Sequence, residues 1–124
     1  MSVETLRPDG GVLSLDPSET RTIAFDWDFN LRADITISTS TYTITVVRQS
    51  GATALTKDNP SILNAADGTV AVERTVGASR VTQVRLIATT ATAGDEYELA
   101  NTIVTSESPT QTKEQSIRVL IENH

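Results

Sequence analysis

A chain of 124 residues, 38% of them hydrophobic, is long enough to bury one core without staples, so a single domain is expected. Sixteen acidic against ten basic residues give a net charge of -6 and a pI near 4.6, which offers a phosphate backbone no electrostatic footprint and argues against nucleic acid as a partner. The absence of cysteine removes disulfides, thiolate metal sites and a cysteine nucleophile together.

Threonine is the commonest residue, and β-branched side chains favour a pleated surface over a helix. Residues 1-11 are polar and end in Pro8-Asp9-Gly10-Gly11, read as a flexible or docking arm ahead of one domain over residues 12-124. This N-terminus has no basic region followed by an apolar one, and no stretch approaches the roughly 18 apolar residues of a membrane span. The expectation is therefore no membrane partner, synthesis in a reducing cytoplasm, and exit without a leader, for instance on lysis.

Val12-Leu13-Ser14-Leu15 predicts a short strand, closed by a turn at Asp16-Pro17-Ser18-Glu19. Residues 20–27 alternate, with Ile23, Phe25 and Trp27 on one side and Thr22, Ala24 and Asp26 on the other, which predicts a half-buried strand. Residues 28–34 read as a connection that tucks Phe29 and Leu31 onto the core, and Ile35-Thr36-Ile37 as a short edge strand. Residues 41–48 alternate Tyr42, Ile44 and Val46 with threonines. A weak strand at residues 53–56 lies between turn signals at Ser50-Gly51 and Asp58-Asn59-Pro60, and Ala65-Ala66-Asp67-Gly68 marks another turn. Strands follow at residues 69–75 and 81–90, the latter with Val84, Leu86 and Ala88 on one face.

Two long strands close the chain, residues 94–105 and 114–121, joined by a polar turn over 106–113. Tyr97, Leu99 and Ile103 share one face of the first, and Ile117, Val119 and Ile121 one face of the second. Ala93-Gly94-Asp95-Glu96-Tyr97 puts a tyrosine just after a turn at a strand entrance, the pattern of the tyrosine corner in immunoglobulin-like sandwiches. Seven to nine antiparallel strands at a spacing of roughly 8 to 12 residues predict an all-β, immunoglobulin-like β-sandwich.

Several of these segments also carry a family likeness. Phe25-Asp26-Trp27, Thr36-Ile37, Ser40-Thr41-Tyr42-Thr43-Ile44, Val84-Arg85-Leu86, Ala93-Gly94-Asp95-Glu96-Tyr97, Asn101, Ile103, Thr105, Glu114 and Ser116-Ile117-Arg118-Val119 together resemble the immunoglobulin-like virion proteins of tailed bacteriophages known as fiber-tail adaptor proteins. The chain departs from that pattern after Phe25-Asp26-Trp27, where a second tryptophan and glycines are missing, and at the long turn over 106–113, which carries Pro109. The resemblance implies a non-enzymatic structural protein of the virion, made in the bacterial host cytoplasm. Its partners would be other virion proteins of the tail, fiber or capsid, met in multiple symmetric copies. Capsid decoration on the phage head is the alternative role, and a carbohydrate-binding or adhesin module the alternative of another class.

No catalytic, cofactor-binding or metal-binding residue is expected. The carboxylates Asp26/Asp28 and Asp95/Glu96/Glu98 have the chemistry of calcium ligands or an acid/base pair. They read better with Asp26 and Glu98 on solvent faces and Asp28 and Asp95 capping turns. The single histidine, His124, is the last residue, which leaves a histidine base unpositioned. No serine lies in a Gly-x-Ser-x-Gly elbow, and Asp67-Gly68 is a hairpin turn rather than half of an aspartate pair. Trp27 and Tyr97 are assigned to the core, and Asn101, which interrupts an apolar face, is expected to bond the backbone of an adjacent loop. The edges at Ile35 to Ile37 and Thr53 to Thr56 are candidate sites for strand addition by a partner.

Overall fold

Alternation along the strands builds two sheets whose apolar faces meet. The computed structural model describes residues 3–6, 11–27, 31–50, 55–62, 79–89 and 91–123. Eight strands run through them: β1 Val3–Leu6, β2 Val12–Leu15, β3 Thr20–Asp26, β4 Ile37–Arg48, β5 Thr56–Ile62, β6 Val81–Ile87, β7 Glu96–Thr105 and β8 Thr112–Ile121. One sheet has the order β1-β3-β6-β5 and the other β2-β8-β7-β4. These neighbours match the ABED and CFG sheets of an immunoglobulin-like sandwich, with β2 added beside the last strand. The chain is an all-β sandwich, as its alternation predicts.

The core is the set of inward positions. Leu13, Leu15, Ile23, Phe25, Trp27, Val84, Leu86, Tyr97, Leu99, Ile103, Ile117, Val119 and Ile121 are all buried. Register explains why β7 and β8 supply so much of it: Tyr97 lies opposite Val119 and Leu99 opposite Ile117, so their large side chains stack on one face. Asp16 to Glu19 forms the expected turn, closed by the Glu19 N–H donating to the Asp16 carbonyl at 2.9 Å and the Ser18 N–H to Asp16 Oδ1 at 2.9 Å.

Several expectations change. The sheets are mixed rather than wholly antiparallel, because β1 runs parallel to β3 and β2 parallel to β8. Four residues of the stretch read as an arm, Val3–Leu6, form β1. β3 is buried on both faces, with Thr22, Ala24 and Asp26 also covered, because it is an inner strand flanked by β1 and β6. Asp26, expected in solvent, is 4% exposed. Ile35 and Thr36 are not a separate edge strand; Ile37 opens the twelve-residue β4 and pairs with Thr105.

The turn signal at Asp58-Asn59-Pro60 lies inside β5. There it makes a register break between Asp58 and Ser61, with Asn59 at a φ of 51°, so turn chemistry serves a bulge within an edge strand. Of the weak strand read at 53–56, Leu55 precedes β5 and Thr56 opens it. Phe29, the turn at 65–68, the strand at 69–75 and residues 53 and 54 lie outside the described residues.

The bulge gives a direct test, since a β-branched residue resists the left-handed backbone that asparagine tolerates. Asn59→Val lowers the unfolding free energy by about 1–2 kcal/mol in urea titrations, whereas Asn59→Gly changes it by no more than about 0.5 kcal/mol.

Candidate functional site

Among the described residues two clusters of polar side chains stand out, one between the sheets and one at the β7 entrance. Between the sheets the centre is Asn101, on the inward face of β7 and 0% exposed. Its Oδ1 accepts from Trp27 Nε1 at 2.7 Å and from Thr82 Oγ1 at 2.7 Å. Its Nδ2 donates to Ser40 Oγ at 2.8 Å and to the Thr41 carbonyl at 3.1 Å. Because indole N–H can only donate, the amide orientation is fixed by chemistry.

The hydroxyl of Thr82 spends its proton on Asn101, so at 2.6 Å the Tyr42 hydroxyl is the donor and Thr82 the acceptor. Proton direction therefore runs one way, from Tyr42 through Thr82 to Asn101. Burial pushes the Tyr42 phenol well above its usual range, which keeps this donor protonated. Phe25 packs edge-on against the Tyr42 ring, centroids 5.6 Å apart.

Asn101 was expected to bond a loop backbone. Only one of its partners is a backbone group, Thr41 of the neighbouring strand, and the others are side chains on β4, on β6 and just past β3. The apolar pattern of β7 marks Asn101 as unusual. Nothing local marks Thr82 or Ser40, since their roles depend on register between strands far apart in sequence.

The second cluster is the corner before β7. Gly94 adopts a φ of 97°, a backbone that favours glycine, and turns the chain into Asp95. The Asp95 Oδ1 accepts from the Ser50 N–H at 2.9 Å and the Ser50 hydroxyl at 3.0 Å. The Tyr97 hydroxyl reaches Gln49 Oε1 and Asp95 Oδ2, each at 3.3 Å. Tyr97 thus bonds back to the corner, through side chains of both segments that meet there. Hydrogen bonds from Ser50 hold the Asp95 carboxyl below the usual carboxylate range.

The remaining acidic candidates do not converge. Asp95 and Glu96 are consecutive strand-entry residues and point to opposite faces. Glu96 lies between Arg48, at 3.7 Å, and Arg118, at 2.8 Å. Glu98 is exposed and sits opposite Arg118 in the β7–β8 register. Asp26 belongs to the other sheet. Among the described residues no three metal-ligating side chains come together. Asp28, Asp67 and His124 lie outside those residues.

The connection that follows β3 and the turn between β7 and β8 are neighbours. The Thr36 N–H donates to Ser106 Oγ at 3.0 Å and the Ser106 N–H to the Thr36 carbonyl at 2.9 Å. Arg32 meets Glu107 at 3.3 Å. The connection after β3 and the β7–β8 turn therefore form one surface at one end of the sandwich.

Both clusters predict stability effects. Asn101→Leu strands the Trp27 indole N–H and the Thr82 hydroxyl in the core, and lowers stability by about 2–4 kcal/mol, read by denaturant titration with a red-shifted Trp27 emission. For Asp95 the folded-state value is depressed, so its contribution is present above the unfolded value of about 3.9 and is lost as pH falls through the folded value. Stability measured from pH 7 to pH 2 falls below about pH 4, and Asp95→Asn flattens that acid limb.

No family model matches the chain, and no curated protein matches it. Solved structures do. The crystal structure of the cysteine protease inhibitor EhICP2 from Entamoeba histolytica is similar over 98% of this chain and 97% of that one, with 12% sequence identity and a TM-score of 0.53. The solution structure of Amebosin aligns over 98% of this chain and 99% of that one, with 13% identity and a TM-score of 0.42. What this chain has in common with the inhibitor is the β-sandwich fold.

Proposed function

We propose that this chain is a non-enzymatic structural protein of a tailed-phage virion, an immunoglobulin-like adaptor that attaches fibers or other components to the tail. The observation that supports it best is how the residues of the adaptor resemblance are used. Trp27, Tyr42, Tyr97 and Asn101 are buried and hydrogen-bonded within the sandwich, so the residues that carry the likeness maintain a scaffold. The segments that depart from the likeness meet on one surface, through Arg32 and Glu107. A buried scaffold with one altered end suits a module whose partner differs between particles.

Other readings have less to draw on. A sugar-stacking platform needs exposed aromatic faces, and four of the five aromatic residues are in the core. The name of the Entamoeba inhibitor brings a protease to mind as a partner, on fold alone. Capsid decoration uses the same surfaces and differs from the tail role in copy number.

Quantitative mass spectrometry of purified particles tests the proposal. The chain is expected in tens of copies or fewer per particle. Hundreds of copies move it to the capsid, and absence from particles overturns both roles.

A further inference from the structure

A sheet edge presents a row of unpaired N–H and C=O groups, and folded proteins guard such edges with short strands, lysine, proline, inward charges or bulges. Three of the four edges here follow that rule. β1 and β2 are four residues each. β5 carries Lys57, Asp58 and Pro60, with its register broken at Asn59.

β4 is the exception. It is twelve residues long, bonded among the described residues only to β7, and it contains no lysine, proline, glycine or acidic residue. Its one charge, Arg48, is at the end. Its two irregularities, between Ile37 and Thr39 and between Val46 and Arg48, sit at the ends too, leaving residues 39–46 in unbroken register. Along this edge Thr39, Thr41, Thr43 and Thr45 are exposed, and Val46 is 52% exposed on the side facing the core.

We propose that the outer edge of β4 pairs with the same edge of a second copy, antiparallel, about a two-fold axis at Thr43. The strand's own sequence argues for a copy as the occupant. With Thr43 opposite itself, Thr41 lies opposite Thr45, Tyr42 opposite Ile44, and Ser40 opposite Val46. No like charges meet, and each partly exposed apolar side chain at the rim gains a neutral neighbour on the same face. This register also keeps both cores on one side of the sheet, so two four-stranded sheets become one continuous eight-stranded sheet. Backbone groups left open on β4 then bond each other, as in other strand additions. The inference does not depend on the virion reading, because it concerns the isolated chain.

Sedimentation equilibrium of the purified full chain is expected to give twice the 13.3 kDa chain mass. Thr43→Lys puts two ammonium groups together at the axis and is expected to return the mass to that of one chain, with an unchanged circular dichroism spectrum. Thr43→Val is expected to keep the dimer. The chain has no cysteine, so Thr43→Cys introduces a single thiol, which is expected to form a covalent dimer under mild oxidation where Thr112→Cys does not. If Thr43→Lys fails to fold, Thr45→Lys and the cysteine pair decide the matter. A monomeric wild-type chain overturns the proposal, as does an oligomer that survives these lysines or that cross-links equally through both cysteine positions.

Discussion

Strands of two stacked sheets lie roughly 10 Å apart, too far for backbone hydrogen bonds between their faces, so apart from an edge contact of the Ile37 N–H with the Ser79 carbonyl at 2.8 Å their relative placement depends on side chains. Apolar packing supplies most of the attraction but is indifferent to small sliding motions. Asn101 is not indifferent. It is held by β4 on its own sheet and by Trp27 and Thr82 on the other, so a shift of either sheet breaks charge-free but buried hydrogen bonds. The direction of proton donation, from Tyr42 inward, leaves both oxygens of the chain satisfied. The same strand carries Tyr97 and the corner, so β7 fixes one sheet against the other at its middle and ties the segment after β4 to its own start.

Much of this was legible in the sequence. Period-two alternation found β2, β3, β7 and β8 nearly to the residue, and the glycine–aspartate–glutamate–tyrosine run announced the corner. Asn101 announced itself by interrupting an apolar face. Its partners did not, because Trp27 and Asn101 are 74 positions apart and only the assembled register brings them together. Local chemistry also misled where tertiary context won. Asp58-Asn59-Pro60 has every mark of a turn, yet pairing with β6 on either side turns it into a bulge. Asp26 alternates as a solvent residue would, and an inner strand flanked on both sides removes that solvent.

The surface divides into regions of different character. One end joins the connection after β3 to the β7–β8 turn through the two hydrogen bonds between Thr36 and Ser106, one to the serine hydroxyl and one between main chains, and the Arg32–Glu107 ion pair. On the outer face of the second sheet β4 instead presents a row of threonines, Thr39, Thr41, Thr43 and Thr45, and the Arg48–Glu96–Arg118 group spans β4, β7 and β8. The two arginines are exposed while Glu96 is buried beneath them. Their value is in fixing which charges the face presents, two guanidinium groups around one carboxylate.

The connection between β3 and β4 has almost no repetitive structure, and its order comes from Arg80. That buried guanidinium takes the carbonyl oxygens of Leu31, Arg32 and Ile35. Arg80 stands immediately before β6, so the groups that shape the connection arrive more than forty residues after it in the chain. As the polypeptide leaves a ribosome, these three carbonyls lack their guanidinium until Arg80 has been made. The end of the sandwich built on this connection thereby takes its form only after Arg80 has joined the chain, and it takes it from within.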